Sequence, residues 1–128
     1  MNHFHAVCWM DHNEARVFHF DAHAFERTTI HPDKPHKHLH NKRAAEATHG
    51  DKHFHEGVAA ALADAQEILL MGPGQAKIEF GKFLDAHKRD LAKRIVATET
   101  VDHPSDGQIV DRARKHFKAI DRMTPQLG

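Results

Sequence analysis

The sequence contains little of several features that would assign a chain to a functional class. Its one cysteine, Cys8, excludes an internal disulfide bond and a zinc site built on cysteines, and it lies in an apolar run, as a core residue would. No apolar run approaches the ~20 residues needed to span a bilayer. The first residues lack the basic region and long apolar stretch of a signal peptide. We therefore expect a cytoplasmic protein without a membrane partner.

A surplus of charge of either sign is also absent. Lys plus Arg and Asp plus Glu are equal at 18 each, which argues against a nucleic-acid-binding protein that works by bulk positive charge. A local basic surface remains compatible with this balance. The chain has 15 histidines, of which seven fall between His31 and His55. Histidine changes its charge near neutral pH, so this stretch would become positive as the pH falls.

The apolar pattern predicts one α/β domain, for which 128 residues are sufficient. Runs with β-branched and aromatic side chains predict strands at 4–10, 15–21, 25–30, 67–71 and 94–100. Helical spacing predicts helices at about 51–65, 75–88 and 104–122. The order β-β-β-α-β-α-β-α predicts a mixed five-stranded sheet with about three helices, a ribonuclease-H-like layout. The predicted domain spans residues 1–123, and a frayed tail follows at 124–128.

Residues 31–50 differ in composition from the rest of the chain. They include two prolines and one glycine but almost no large apolar side chains, so they cannot bury themselves. We predict an exposed histidine-rich loop here, followed by a helix that Asp51 caps.

His36, His38 and His40 alternate within this predicted loop. In an extended segment they would point to one side, which suits capture of Zn²⁺ or another divalent transition metal. The alternative is a solvated polar loop that sequesters metal only weakly, because a loop with two prolines need not hold a tetrahedral site. No cofactor is certain from this pattern.

Gly72, Pro73 and Gly74 join the fourth predicted strand to the second predicted helix. Helix N-terminal amides favour anions, and Lys77 in the first turn could meet a phosphate. The alternative is a tight turn that needs glycine, since the sequence is neither a Walker P-loop nor a dinucleotide-binding fingerprint.

The third predicted helix carries basic residues, including Arg112 and Lys115, away from its apolar face. They could contact RNA phosphates, or they could form a solvated face with the acidic residues between them.

Residues arranged for catalysis are scarce. Ser105, the only serine, stands where a helix cap is expected. Ribonuclease-H-like nucleases need several carboxylates that converge on Mg²⁺, whereas Asp11, Asp102 and Asp106 lie near strand ends and at a helix start. Asp102 and His103 could form an acid–base pair, but a structured strand-to-helix turn is the simpler interpretation.

Two short runs and one turn carry a family resemblance. The runs are residues 9–18 and 99–104, and the turn lies in residues 67–80, where Gly-Pro-Gly is followed by Lys77. With the order of segments, they resemble the middle domain of eukaryotic and archaeal class-1 peptide-chain release factors and their ribosome-rescue relatives. The resemblance covers about residues 4–120 and is strongest for small bacterial single-domain members described as translational machinery proteins. It implies the ribonuclease-H-like fold and a place in translation.

One departure from that family bears on activity. Release factors carry a Gly-Gly-Gln tripeptide between the strands and the first helix, and its glutamine positions the water that cleaves peptidyl-tRNA. The corresponding residues 31–52 contain Gly50 but no glutamine and no paired glycines. We therefore expect neither peptidyl-tRNA hydrolysis by that mechanism nor an independent enzymatic activity.

The leading hypothesis is a non-catalytic, translation-associated protein that binds the ribosome or tRNA in a rescue or hibernation type of role. The expected RNA contacts are basic: His36, Lys37, His38, His40, Lys42, Arg43, Lys77, Arg112 and Lys115. The competing hypothesis is a histidine-rich module that responds to metal or pH. A remnant hydrolase ranks third, and it would require Asp11, Asp102 and Asp106 to gather around one cavity.

Overall fold

The chain forms a sheet with helices on both of its faces. The structure, a computed structural model, describes residues 5–32 and 44–123, with side chains described at 5–32 and 52–118. The strands are β1 (His5–Met10), β2 (Ala15–Phe20), β3 (Phe25–Ile30), β4 (Glu67–Gly72) and β5 (Ile95–Thr100). The helices are α1 (Ala44–Leu62), α2 (Ala76–His87), α3 (Arg89–Ala92) and α4 (Asp106–Met123).

The five strands pair in the order β3-β2-β1-β4-β5. β1, β2 and β3 are antiparallel because short turns join them, whereas β1, β4 and β5 are parallel because helices lie between them in the chain. This confirms the predicted α/β class, the mixed five-stranded sheet and the element order, with the short α3 as an addition. Among the described helices, none is long and apolar enough to cross a membrane.

The side chains of β1 alternate between the two faces of the sheet. On one face, Ala6, Cys8 and Met10 pack against apolar residues of α1, α2 and α3. On the other face, Val7 and Trp9 pack against α4. All five side chains are fully buried, so β1 needs helices on both sides.

Side-chain caps close the connections between these elements. Oδ1 of Asp11 accepts the backbone N–H groups of Asn13 (2.8 Å) and Glu14 (2.9 Å), which closes the turn from β1 to β2. At the start of α4, Ser105 Oγ accepts the Gln108 N–H (3.2 Å), and Gln108 Oε1 accepts the Ser105 N–H (2.9 Å). This reciprocal cap confirms the predicted role of Ser105.

The first helix begins earlier than predicted. It starts at Ala44 instead of Asp51, so residues 44–50 of the predicted loop are helical. The prediction rested on the lack of large apolar side chains, but residues 44–47 are Ala-Ala-Glu-Ala, which have high helix propensity. A helix nucleated on the buried residues of its C-terminal half can extend through residues of high helix propensity even where they supply no large apolar side chains. Residues 33–43 of the predicted loop lie outside the described part of the chain.

The end of β4 requires a glycine. A Cβ atom added to Gly72 would stand 2.2 Å from the carbonyl oxygen of Met10 in the neighbouring strand. The obstacle is backbone, which cannot move aside as a flexible side chain would. At Gly74, by contrast, an added Cβ meets nothing within 4 Å. The strand-to-helix turn therefore depends on Gly72 and not on Gly74.

We expect Gly72→Ala to lower the free energy of unfolding by ~2–3 kcal/mol, because the added methyl group must push β1 and β4 apart. Chemical denaturation followed by circular dichroism measures this change. Gly74→Ala is the matched control and should change the free energy of unfolding by less than ~0.5 kcal/mol. Equal stability of the two variants would show that the close approach to Met10 does not constrain the fold.

Candidate functional site

One edge of the sheet collects polar residues from several turns. β1, β4 and β5 end there, and the register of Met10 and Ile30 with Ala15 places the start of β2 and the end of β3 there too. The turn 11–14 and the connection 101–105 therefore share this edge. In α/β sheets, ligand sites commonly lie at the carboxyl ends of the parallel strands. We refer to this edge of the sheet, with the turn 11–14 and the connection 101–105, as the carboxyl edge.

A histidine lies between two carboxylates at the carboxyl edge. His103 follows β5, and its Nδ1 donates to Oδ1 of Asp102 at 2.8 Å. Its Nε2 lies 3.6 Å from Oδ2 of Asp11, which follows β1. Because the turn after β1 holds the other oxygen of Asp11, the oxygen that faces His103 has a fixed position. The imidazole thus links the ends of two strands that are separated by β4.

Trp9 supports this arrangement from within the core. Its indole is fully buried, and Nε1 donates to the carbonyl oxygen of Asp102 at 2.7 Å. The ring centroids of Trp9 and His103 are 5.0 Å apart, and the Arg16 guanidinium lies 4.5 Å from the indole centroid. A buried indole N–H needs an acceptor, so this bond fixes the connection from β5 to α4. We name Trp9, Asp11, Arg16, Asp102 and His103 the His103 cluster.

Ion pairs connect the His103 cluster to the start of α4. Arg16 donates to one oxygen of Asp106 at 2.9 Å, and Arg27 donates to the other at 2.6 Å. Asp106 is therefore held by two arginines, whereas Asp11 and Asp102 meet at His103. Within the described residues, no three His, Cys, Asp or Glu side chains are placed to hold a metal ion. The arrangement required by the remnant-hydrolase hypothesis is not observed there.

The surroundings of His103 favour its protonated form. The hydrogen bond with Asp102 raises the pKa of His103 above its ordinary value of 6.5. Desolvation opposes this shift, and the charge of Asp102 and the contact with Asp11 add to it. The side chain is 60% exposed and borders an open depression of about 470 Å³ that Gln108 and Arg112 also line. Such a histidine can take up and release a proton at the protein surface.

Two further histidine–carboxylate pairs lie at the same edge. His12 Nε2 is 3.1 Å from Oε1 of Glu79, which joins the first turn to α2. His31 Nε2 is 3.6 Å from Oε1 of Glu14. Carboxylates outnumber arginines in these contacts, so this part of the edge carries net negative charge when its histidines are neutral.

The predicted anion-binding turn is closed by its own lysine. Gly72 is buried, Pro73 is half-buried and Gly74 is exposed. Lys77 is 4% exposed, and its Nζ donates to the carbonyl oxygen of Gly74 at 2.6 Å. A phosphate contact with Lys77 would require this bond to break, so the structure shows the lysine in the role of stabilising the turn.

The two predicted contacts on α4 are exposed and already have carboxylate partners. Arg112 Nε donates to Oε1 of Glu99 at 2.7 Å, and Lys115 Nζ lies 3.1 Å from Asp111. Both side chains remain accessible to solvent. A phosphate would have to compete with these partners.

The remaining predicted site residues lie outside the described part of the chain: His36, Lys37, His38, His40, Lys42 and Arg43. Their roles in RNA binding, and that of the three histidines in metal binding, stay predictions. Cys8 is in the core, as predicted, and burial raises the pKa of its thiol, which disfavours the nucleophilic thiolate.

Sequence reasoning did not bring the members of the His103 cluster together. It placed Asp11 and Asp102 near strand ends, but it could not place β4 between their strands or position the buried indole of Trp9. One signal was present, since residues 9–18 and 99–104 carry the family resemblance and are the runs that meet here.

Solved structures of translation factors share this fold. An archaeal translation termination factor, aRF1, gives a TM-score of 0.62 at 17% identity, with 93% of this chain and 38% of that one covered. Pelota of Archaeoglobus fulgidus gives 0.60 at 17% identity, with 92% and 37% covered. A model of ribosome-bound archaeal Pelota and ABCE1 gives 0.59 at 18% identity, with 92% and 33% covered. The similar part is the central domain of these factors, and the ribonuclease-H-like fold is confirmed.

At such low identities the similarity shows the fold alone. The chain spans less than two fifths of the length of each of these matched proteins. Its sequence matches no protein-family model and no curated protein.

Because Asp102 and Asp11 raise the pKa of His103, replacing either carboxylate should change that pKa. Asp102→Asn removes the main cause of the raised pKa and should lower the pKa of His103 toward 6.5, whereas Asp11→Asn should lower it less. NMR of the imidazole protons measures both, with Asp111→Asn on α4 as the control. A His103 pKa that Asp102→Asn leaves unchanged would contradict this assignment of the cause.

The same shift predicts a pH-dependent stability. Because the folded pKa of His103 is raised, its stabilising contribution is complete below pH 6.5 and is lost as the pH rises through the folded pKa. The stability difference between the unaltered protein and His103→Gln should therefore be larger in mild acid than in mild alkali. Denaturant titrations at several pH values measure it, and an unchanged or reversed difference would refute the sign.

Proposed function

We propose that this chain is a non-catalytic, translation-associated protein that binds the ribosome or tRNA. The observation that carries the proposal is the likeness in fold, over more than nine tenths of the chain, to the central domain of termination and rescue factors. One matched structure is a ribosome-bound archaeal Pelota. Because one fold can host many functions, the residues of this chain must supply the remaining support.

The residues between β3 and the buried part of α1 support a non-catalytic role. Residues 31–52 contain no glutamine and no paired glycines, so the tripeptide of release factors is missing. The His103 cluster is not a ready substitute, because its imidazole faces two carboxylates on an acidic edge. A binding role of the rescue or hibernation type fits this combination.

The proposed contacts are cations that meet RNA phosphates. One group is the basic segment 36–43. The other group is Arg112 and Lys115 on α4. Arg112 is 56% exposed although Glu99 holds its Nε, so the rest of its guanidinium remains accessible to a phosphate.

Co-sedimentation with bacterial ribosomes in a sucrose gradient tests this function. We expect comigration at low salt that weakens as the salt concentration rises, because phosphate contacts release counterions. Serine at the six basic positions of segment 36–43 should reduce comigration: His36, Lys37, His38, His40, Lys42 and Arg43. Residues 44–50 are left unchanged because they belong to α1.

The control replaces Lys52 and Lys82, two exposed lysines on α1 and α2, by serine. Protein that stays at the top of the gradient under every condition would refute ribosome binding and leave tRNA as the proposed partner; if the protein does not bind tRNA either, the proposed function is refuted. If comigration is the same in the serine variant, ribosome binding is supported but segment 36–43 is not part of the interface.

A further inference from the structure

Three exposed cations lie together where α2 passes into α3. Lys88 caps the start of α3, Arg89 is its first residue and Lys93 caps its end. The backbone N–H of Lys93 donates to the carbonyl oxygen of Arg89 at 3.1 Å, so these two residues are one helical turn apart. We name the three residues the α3 basic cluster.

Within the described residues, the α3 basic cluster differs from the α4 cations in that its side chains contact no carboxylate. Across the described part of the chain, no side-chain hydrogen bond or ion pair engages Lys88, Arg89 or Lys93. Arg112 and Lys115, by contrast, each lie against a carboxylate. A paired cation must give up its partner to bind a phosphate, whereas an unpaired one gives up only water and counterions. The unpaired cations are therefore the better phosphate ligands.

The electrostatics of helix ends explains only part of this cluster, because a cation is favourable at Lys93, which caps the end of α3. Lys88 and Arg89 stand at the start of α3, where a cation faces the positive end of the helix dipole. Lys88 also follows the C-terminus of α2, where a cation is favourable, so the two effects on it oppose each other. Packing does not require the charges either, since Leu91 is the buried residue of α3.

The backbone beneath the cluster is anchored on two sides. Leu91 packs into the core formed with α1 and α2. Immediately after the cluster, the Arg94 guanidinium donates to the carbonyl oxygens of Ala63 (2.9 Å) and Ala65 (3.1 Å) beyond the end of α1. The cations therefore stand on a fixed support, which lowers the entropic penalty of ordering them on a partner.

An open depression of about 260 Å³ lies beside the cluster, between α1 and α3. The small side chains of Ala60 and Ala63 line this depression, so the backbone of a bound partner could approach α1 closely. Glu56 and Asp90 also line it and offset the charge of Lys88 there. Arg89 and Lys93, which do not line the depression, are therefore the cations of the cluster best placed to attract a phosphate at the surface.

We propose that the α3 basic cluster binds the phosphate groups of RNA. The proposal rests on the function proposed above and deepens it by naming a surface on the opposite face of the sheet from α4. Its cations supply charge without a set of groups for reading bases, so the contact is independent of RNA sequence and sensitive to salt.

The test removes two charges from the cluster and compares the effect with a matched loss elsewhere. The first variant is Arg89→Gln with Lys93→Gln. The control is Lys52→Gln with Lys82→Gln, which removes two exposed cations from α1 and α2 that likewise have no side-chain partner among the described residues. Arg89→Lys keeps the charge and should bind as the unaltered protein does. Circular dichroism establishes that each variant is folded.

Binding is measured with bacterial ribosomes by co-sedimentation and with purified tRNA by fluorescence anisotropy, each over a series of salt concentrations. We expect the Arg89/Lys93 variant to bind several-fold more weakly. The slope of log affinity against log salt should fall by about 2, or about 1 for each cation removed. In the control variant, both the affinity and the salt slope should change much less.

The outcomes separate the two proposals. If ribosome binding is intact in the Arg89/Lys93 variant, or falls equally in the control, the α3 basic cluster is not the RNA surface and the proposed function stands. If the unaltered protein does not bind ribosomes, tRNA is left as the partner in the proposed function, and the tRNA measurement decides whether the cluster binds RNA. Weaker tRNA binding in the Arg89/Lys93 variant alone supports the cluster, whereas equal loss or no tRNA binding overturns it.

Discussion

The burial of β1 on both faces is the constraint on which the rest of the structure depends. Cys8 and Met10 face α1, α2 and α3, while Val7 and Trp9 face α4, so neither side can be left to water. At the end of β1, the carbonyl oxygen of Met10 stands where a Cβ atom at position 72 of β4 would be, so only glycine fits there. The burial of β1 also forces the indole N–H of Trp9 to find its acceptor in the protein, and the carbonyl of Asp102 is that acceptor. Packing in the core thereby positions the His103 cluster at the surface.

A neutral total charge conceals an uneven distribution of cations. Some are used inside the structure: Lys77 closes a turn, Arg94 binds carbonyl groups beyond the end of α1, and Arg16 joins β2 to α4. The carboxyl edge is left acidic, while Arg89 and Lys93 remain exposed and contact no carboxylate in the part of the chain that the structure describes. Affinity for a polyanion depends on the cations that are not already bound within the protein. The net charge of the chain does not reveal how many such cations there are.

The fold could be predicted from the sequence because its signals are local. Apolar runs marked the strands, and Ser105 at a predicted helix start marked a cap. The start of α1 was misplaced because helix propagation through Ala-rich turns needs no apolar residues. The sites were harder, since they depend on contacts between residues far apart in the chain. Nothing in the local sequence shows that His103 meets Asp11, or that Lys77 is buried while Arg89 is exposed.

The parallel pairing of β1 with β4 has a consequence for how the chain folds. His5 lies beside Glu67, 62 residues later in the sequence, so this contact closes only after a long stretch of chain has been ordered. The hairpins of β1, β2 and β3 can form earlier through short turns. Until β4 arrives, however, they present an apolar strand with an open edge, which invites association with other chains. We therefore expect refolding yield to fall at high protein concentration, as a result of the same central strand that organises the native core.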